Sequence, residues 1–549
     1  MEKAKLASLV LSAVLIVGCG GNSENSLAQS DQFAPKSRDT LVRGNGSEPE
    51  SLDPAHVQTN VAAGILYDLS EGLMTEDQSN NPVAGVAKSW KESEDGLIYT
   101  FSLRDDAKWS NGEPVTAYDF EYSLKRAVDP KTASEMAYKL TPIQNAQAIM
   151  DGKRPVSSLG VKVINSHELQ ITLDYPVYYF LSIVADPVSY PVYKKGVEQY
   201  GQGFFHAGRL ISNGPYMLKD WVPNGYVLVT KNPYYWDTKN VRIQNVKFVP
   251  IVERTSALNN FASGQLDYVM YIPTINLDML KKQYGNQLKQ TPWLTLEYLD
   301  FNMTKPVFKD NPKLREALSL AIDREELVRN VVRDGSSAAY SLFPPDIDCA
   351  RYKDVKYSWS NEPADKRLEL ARKLYAEAGY SKENPLKISI DYNTDEQHKK
   401  DMEAIAQMWA QNLGVKVTLA NSEFKVFLKV RQSHNYDGVA RDGWVADFNT
   451  IDNFATMWTC DNPQNNSGYC NTEYDKLIAE GQKQLTADAA VPYYSRALLL
   501  MQNDYPSIPL YAQNVTHLVK PYVMNYQMEI NHLDHVYDKW FSLNYGDQK

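Results

Sequence analysis

Residues 99 to 120 read Tyr-Thr-Phe-Ser-Leu-Arg-Asp-Asp-Ala-Lys-Trp-Ser-Asn-Gly-Glu-Pro-Val-Thr-Ala-Tyr-Asp-Phe, and their period changes midway. Tyr99, Phe101 and Leu103 alternate with polar residues, the two-residue period of a strand with one buried face. Ser110-Asn111-Gly112 supplies turn chemistry. Thr116 then stands three residues before Asp119, which is how a helix start looks when a hydroxyl caps it and an acid sits in its first turn. The spacing predicts a helix to about Ala127, ahead of Asp129-Pro130. Strand, turn and helix in direct succession point to an α/β protein rather than an all-β or bundled one.

The alternation continues on both sides. Asp39-Thr-Leu-Val-Arg43 reads as a first strand running into a turn at Ser51-Leu-Asp-Pro54. Leu169, Ile171 and Leu173 alternate, Tyr226 to Val229 is apolar, and Ala317, Leu318, Ala321 and Ile322 recur at helical spacing. A mixed sheet is expected in each lobe. Helices are expected from Pro312, tolerated in a first turn, through Val332, and from Ala364 to Ala378, ending near Gly379. No fixed-period repeat is evident, and no Pro- or Ser-rich linker separates lobes, so short strands must cross any boundary.

The 549 residues, 43% hydrophobic and 23% charged, have ordinary soluble composition with room for roughly two or three domains. A net charge of −10 argues against a nucleic-acid partner. Lys3 and Lys5 precede an apolar run from Leu6 to Val17, shorter than the roughly 20 residues of a membrane span, so residues 1–18 read as a secretory signal. Ile16-Val17-Gly18-Cys19 resembles a bacterial lipobox, which would make Cys19 the lipidated first residue; the alternative is a plain signal with an incidental cysteine. Residues 19–38 are polar and suit a flexible tether to a membrane the chain does not cross. Tyr175 to Val188 is too short to span and is broken by Pro176 and Pro187.

Export permits disulfides. Cys460 and Cys470 bracket a turn-rich Asp-Asn-Pro-Gln-Asn-Asn-Ser-Gly-Tyr loop and are the candidate pair, with two free thiols as the alternative. No Cys-x-x-Cys or paired-histidine spacing suggests a metal, and no cofactor is expected. Catalytic signatures are missing: there is no Gly-x-Ser-x-Gly elbow, no His-Glu-x-x-His, no phosphate-cradling glycine loop and no dinucleotide fingerprint. An exported hydrolase with two of the many carboxylates remains the alternative class. The 36 tyrosines favour binding, since Tyr offers apolar area and a hydroxyl at low entropic cost, although most must be core residues.

Val439-Ala-Arg-Asp-Gly-Trp-Val-Ala-Asp-Phe-Asn449 places Arg441, Asp442 and Asp447 in an apolar, strand-like run. Buried charges need partners, either inside the protein or on a ligand. A peptide, with one ammonium and one carboxylate, matches a cleft offering one Asp and separate Arg residues.

Val86-Ala-Lys-Ser-Trp90, the strand to Leu103 and Arg104 to Phe120, followed by Asn213-Gly-Pro-Tyr216 and Ala321-Ile-Asp-Arg324, resemble the family 5 solute-binding proteins of ABC importers. Ser51-Leu-Asp-Pro54 and Glu71-Gly-Leu73 extend the likeness, which covers nearly everything after Asp39 and is strongest with the oligopeptide-binding proteins. The resemblance implies an α/β, periplasmic binding protein-like fold (type II, cluster C), with two lobes around a cleft and an extra domain. It implies domain I from residues 39–70, 193–294 and 516–549, domain II from 71–192, and domain III from 295–515. The implied function is that of a monomeric, lipid-anchored, exported receptor, not an enzyme, that holds short peptides extended between its lobes and passes them to a membrane-embedded ABC permease. A specialised ligand such as a cell-wall peptide, a dipeptide or a metal complex is the alternative within the family.

By the same resemblance Asp447 holds the peptide's α-ammonium, Gly443, Trp444 and Val445 form one backbone edge, and Gln58, Thr59 and Asn60 the other, a form of strand addition. Arg441, Arg431 and His398 match basic positions that serve the C-terminal carboxylate or line the cleft. Other readings stay open: Asp447 capping its turn through Asn449, Arg441 pairing with Asp447 or Asp442, Arg431 solvated at a helix end, His398 exposed. The chain departs from the family's pocket residues in having Met136 where Tyr is frequent, Phe424 for Trp and Asp300 for Glu. Val445 and the residues around Thr295 lack the cysteines of a disulfide found in relatives.

Overall fold

The computed structural model describes residues 39–545 except 274–276, 463 and 528–530, and of Phe424 and Lys425 the backbone alone. The expected signal, Cys19 and tether fall outside the described residues. Among those residues no helix is long and apolar enough to cross a membrane.

Three of the sheets have more than two strands. The largest has seven, in the spatial order Leu288–Pro292, Asn514–Val519, Tyr268–Val269, Thr40–Gly44, Asn245–Val249, Tyr226–Lys231 and Tyr216–Val222. It is mixed: Thr40–Gly44 runs parallel to both neighbours and every other pairing is antiparallel.

A four-stranded sheet follows the order Ala87–Glu92, Ile98–Leu103, Glu168–Thr172 and Val161–Asn165. All its pairings are antiparallel, which corrects the expectation of a mixed sheet in each lobe. The connections explain two of the three pairings: residues 93–97 and 166–167 are tight returns, long enough for antiparallel neighbours and far too short for a parallel crossover, while Ile98–Leu103 and Glu168–Thr172 are joined by residues 104–167. Tyr99, Phe101 and Leu103 bury their side chains as their alternation predicts. The capping box forms, with Thr116 N–H and Oγ1 both donating to Asp119 Oδ2 at 2.7 and 2.8 Å, and the helix runs Ala117–Val128.

The third sheet is mixed, in the order Ser337–Ala338, Ser507–Ala512, Thr295–Phe301, Val439–Val445, Lys387–Asn393 and Lys416–Ser422. Thr295–Phe301 is buried at every position because both faces are covered. Leu299 and Phe301 pack into one apolar cluster, Leu296 and Tyr298 into another.

The helix expected from Pro312 to Val332 is interrupted. Asn311 caps a helix over Pro312–Leu320, and after a break at residues 321–323 the chain resumes as Arg324–Glu326 and a π-helical turn to Val332. Asp323 caps the new start, and the buried Arg324 guanidinium donates to the Ser319 and Ile322 carbonyls at the break, at 3.0 and 3.3 Å. The helix Ala364–Glu377 ends as expected, with Gly379 at φ +92°. Cys460 and Cys470 are bonded, and Cys349 is free and exposed.

Candidate functional site

Val439–Val445 pairs residue for residue with Thr295–Phe301 along one edge, whereas on the other Lys387–Asn393 reaches only Val439 and Ala440. From Arg441 to Val445 the outer edge carries no strand among the described residues. Ala446 N–H points inward, to the Leu294 carbonyl at 2.8 Å, so by strand alternation Val445 and Gly443 turn their backbone groups outward. Gly443 N–H is met by Asp442 Oδ1 at 2.7 Å, leaving Val445 the open position of that edge.

A cavity of about 320 Å³ adjoins this strand end, walled by Trp444 to Asp447, by Gln58 to Asn60, by Met136, Tyr138 and Lys139, and by Asp186 and His535. Of the residues expected at a ligand, Asp447, Trp444, Val445, Met136, Gln58, Thr59 and Asn60 come together here. Gly443, Arg441, Arg431, His398 and Asp300 are not in its wall. Phe424 lies on the helix Phe424–Gln432, and its side chain falls outside the described residues.

Asp447 is not empty-handed. Lys139 Nζ lies 2.9 Å from Asp447 Oδ1 and 2.9 Å from Asp186 Oδ2, and Tyr138 OH donates to Asp447 Oδ2 at 2.9 Å. Burial alone would depress the Lys139 pKa, but Asp186 and Asp447 outweigh it and hold the ammonium well above the usual lysine range. The turn-capping alternative for Asp447 is not realised: its carboxylate faces Lys139 and Tyr138, and Asn449 Oδ1 instead accepts from Asp348 N–H at 2.7 Å.

The arginines are likewise paired inside the protein. Arg441 meets neither Asp447 nor Asp442; its Nε and Nη2 donate to Glu297 Oε2 and Oε1 at 2.9 and 2.6 Å. Glu297 sits opposite Gly443 in the register, diagonal to Arg441 on the same face. A Cβ at Gly443 would lie 2.7 Å from Glu297 Oε1 and 2.9 Å from Arg441 Nη2, so glycine makes room for the pair. Arg431 is buried and bonded to Asp442, which corrects the reading of it as solvated. His398 is mostly buried rather than exposed; burial and then the Arg441 charge push its pKa down to about 4, so it is neutral near pH 7. Asp300 is buried at Ser507 Oγ, 2.6 Å away, and burial together with Asp442 raises its pKa well above the carboxylate range.

The second expected backbone edge is also engaged. Glu50 Oε1 accepts the N–H groups of Gln58 and Thr59 at 2.7 and 2.9 Å, ahead of the helix Asn60–Leu69 that Thr59 caps. Sequence reasoning passed over Lys139, Tyr138, Glu297 and Glu50. Glu297 was findable, because an acid inside the apolar run Leu296 to Phe301 poses the question that Arg441 poses one strand away. Lys139 carries no local signal: its partner Asp447 is more than 300 residues on.

A family model for bacterial extracellular solute-binding proteins, family 5, matches residues 81–466. The periplasmic oligopeptide-binding protein OppA of Escherichia coli is 38% identical over 94% of this chain and 95% of its own length. The chain belongs to family 5 of the bacterial extracellular solute-binding proteins. The periplasmic murein peptide-binding protein MppA of E. coli is 37% identical over 88% of this chain and 90% of its own. Among solved structures, the complex of Haemophilus influenzae OppA with RPPGFSPFR superposes with a TM-score of 0.80 at 34% identity, covering 93% of this chain and 100% of the other. The α/β, two-lobe periplasmic binding protein fold of type II is thus shared, and family 5 members are solute-binding proteins.

Proposed function

We propose that this chain is the peptide-capturing component of an ABC importer, exported through residues 1–18, anchored by lipid at Cys19 and acting as a monomer that binds rather than catalyses. The observation that carries the reading is the cavity at Asp447. It adjoins a strand that has no neighbour on its outer edge from Arg441 to Val445 among the described residues, and it has the Asp447 carboxylate in its wall, which suits the backbone and amino end of an extended peptide. Near-full-length likeness to OppA, with a peptide-bound neighbour, supports the same reading. The three large sheets support the division into three domains, and closure of the lobes would present the loaded form to the permease.

A second reading, a murein-type peptide, is supported by the 37% identity to MppA and by Met136, which walls the cavity where Tyr is frequent in the family. Mass spectrometry of ligand co-purified from the exporting host separates the two: mixed short peptides support the first, one cell-wall peptide the second, and a non-peptide compound sinks both. In Asp447→Ala, peptide affinity measured by calorimetry should fall by at least about tenfold, because a buried polar end of the ligand loses its acceptor. Unchanged affinity would remove Asp447 from the site.

A further inference from the structure

Glu297 and Arg441 form a closed pair beside the strand edge that runs up to Asp447. Both Glu297 oxygens accept from the guanidinium, Oε2 from Nε at 2.9 Å and Oε1 from Nη2 at 2.6 Å, and Gln513 Nε2 adds a long contact to Oε1 at 3.4 Å. The two side chains are only 8% and 12% exposed. The guanidinium lies over Gly443, with Nη2 2.9 Å from where a Cβ would stand. An extended peptide lying along the outer edge with its amino end at Asp447 comes level with Gly443 at about its fourth residue.

A carboxyl end delivered there meets a cation whose charge is already matched. The neighbours supply no other: Arg431 is bonded to Asp442, His398 is neutral near pH 7, and the acids Asp395 and Asp401 outnumber the exposed Arg254. A ligand carboxylate at Arg441 would share one guanidinium with a fixed, buried acid, and like charges side by side oppose it. An amide carbonyl meets no such opposition. Arg441 Nη1, which has no acceptor among the described residues, can donate to it as readily as to an acid.

We propose that Glu297, acting through Arg441 as a positioning residue, sets the specificity at the ligand's carboxyl end. By holding the guanidinium it admits an uncharged end, an amidated terminus or the internal amide of a longer chain, at least as readily as a free carboxylate. This specificity rests on the peptide-binding reading and refines it. Calorimetry on the full-length mature protein with tri-, tetra- and pentaalanine and their C-terminal amides tests it. Wild type should bind each amide at least as tightly as its acid. In Glu297→Gln, which keeps the size and a hydrogen bond but loses the charge, the acid that reaches Arg441 should gain at least about tenfold over its amide. Adding Arg441→Met to that variant should return the ratio to the wild-type range, a reversal that a merely structural role for Glu297 would not produce. A wild-type preference for the acid above about threefold at any length, or a ratio that Glu297→Gln leaves unmoved, overturns the proposal alone. The first of these needs no variant and so does not depend on Glu297→Gln folding. Failure of all these peptides to bind wild type overturns the peptide reading and this proposal with it.

Discussion

Asp447, Arg441 and Arg431, the charges that the sequence offers to a ligand, each have a counter-charge within the chain: Lys139, Glu297 and Asp442. Desolvation explains why. A lone buried charge costs several kcal/mol, and breaking such a pair from one side costs about 3–5 kcal/mol, so a cleft that also exists without ligand must satisfy its own groups. Asp401 is the residue whose charge state this environment changes most visibly. Burial pushes its pKa up to about 7, against partial relief from Tyr511 OH and Gln397 Nε2 at 2.8 Å each. A carboxyl with a raised folded pKa binds its proton more tightly in the native state. Its contribution to stability is complete below the unfolded value near 3.8 and is lost as pH rises through 7. The loss is on the order of 4 kcal/mol at most. Asn cannot ionise, so the melting temperature of Asp401→Asn relative to wild type should rise between pH 5 and pH 8. A flat difference in scanning calorimetry would contradict the assignment.

Element by element, the chain was readable where local rules act alone. The strand Ile98–Leu103, the Thr116 cap and the Gly379 stop all follow from spacing within a few residues. The failure at Ala321 came from a long-range partner, since Arg324 also donates to the Pro509 carbonyl at 2.7 Å and favours a broken helix that no window of sequence reveals. The loop closed by Cys460 and Cys470 belongs at this scale too. Their sequence separation of 10 makes the ring small, and chain entropy assigns it about 2–3 kcal/mol. The variant Cys460→Ser/Cys470→Ser should lower the urea midpoint accordingly and raise amide exchange between the two positions. An unchanged midpoint with unchanged exchange would show that the neighbouring hydrogen bonds suffice.

For the whole molecule, the contacts that matter join the segment around residues 138–179 to the strand end near 447–452. Besides Tyr138 and Lys139 at Asp447, Tyr179 OH donates to Asp452 Oδ2 at 2.6 Å and Tyr178 OH lies 2.5 Å from Thr450 Oγ1. These hydroxyls hold the two sides together without help from a ligand. Tyr178→Phe/Tyr179→Phe should therefore give a larger radius of gyration in solution scattering without peptide, and peptide should restore the wild-type value. An identical radius for both proteins would mean that these bonds do not set the degree of closure.

By itself the sequence determined the α/β class, the family, the helix start at Thr116 and the helix stop at Gly379, and it offered Cys460 and Cys470 as a candidate pair. Each rests on short-range periodicity, capping and turn chemistry, or on motifs in fixed order. Only the tertiary structure decided which charges face one another: Lys139 with Asp447, Glu297 with Arg441, Asp442 with Arg431 and Glu50 with Gln58 and Thr59. Apart from Glu50, which lies eight or nine residues away, these partners come from other strands or turns. Their pairing follows from burial and register across the fold, which a linear pattern of charges does not encode.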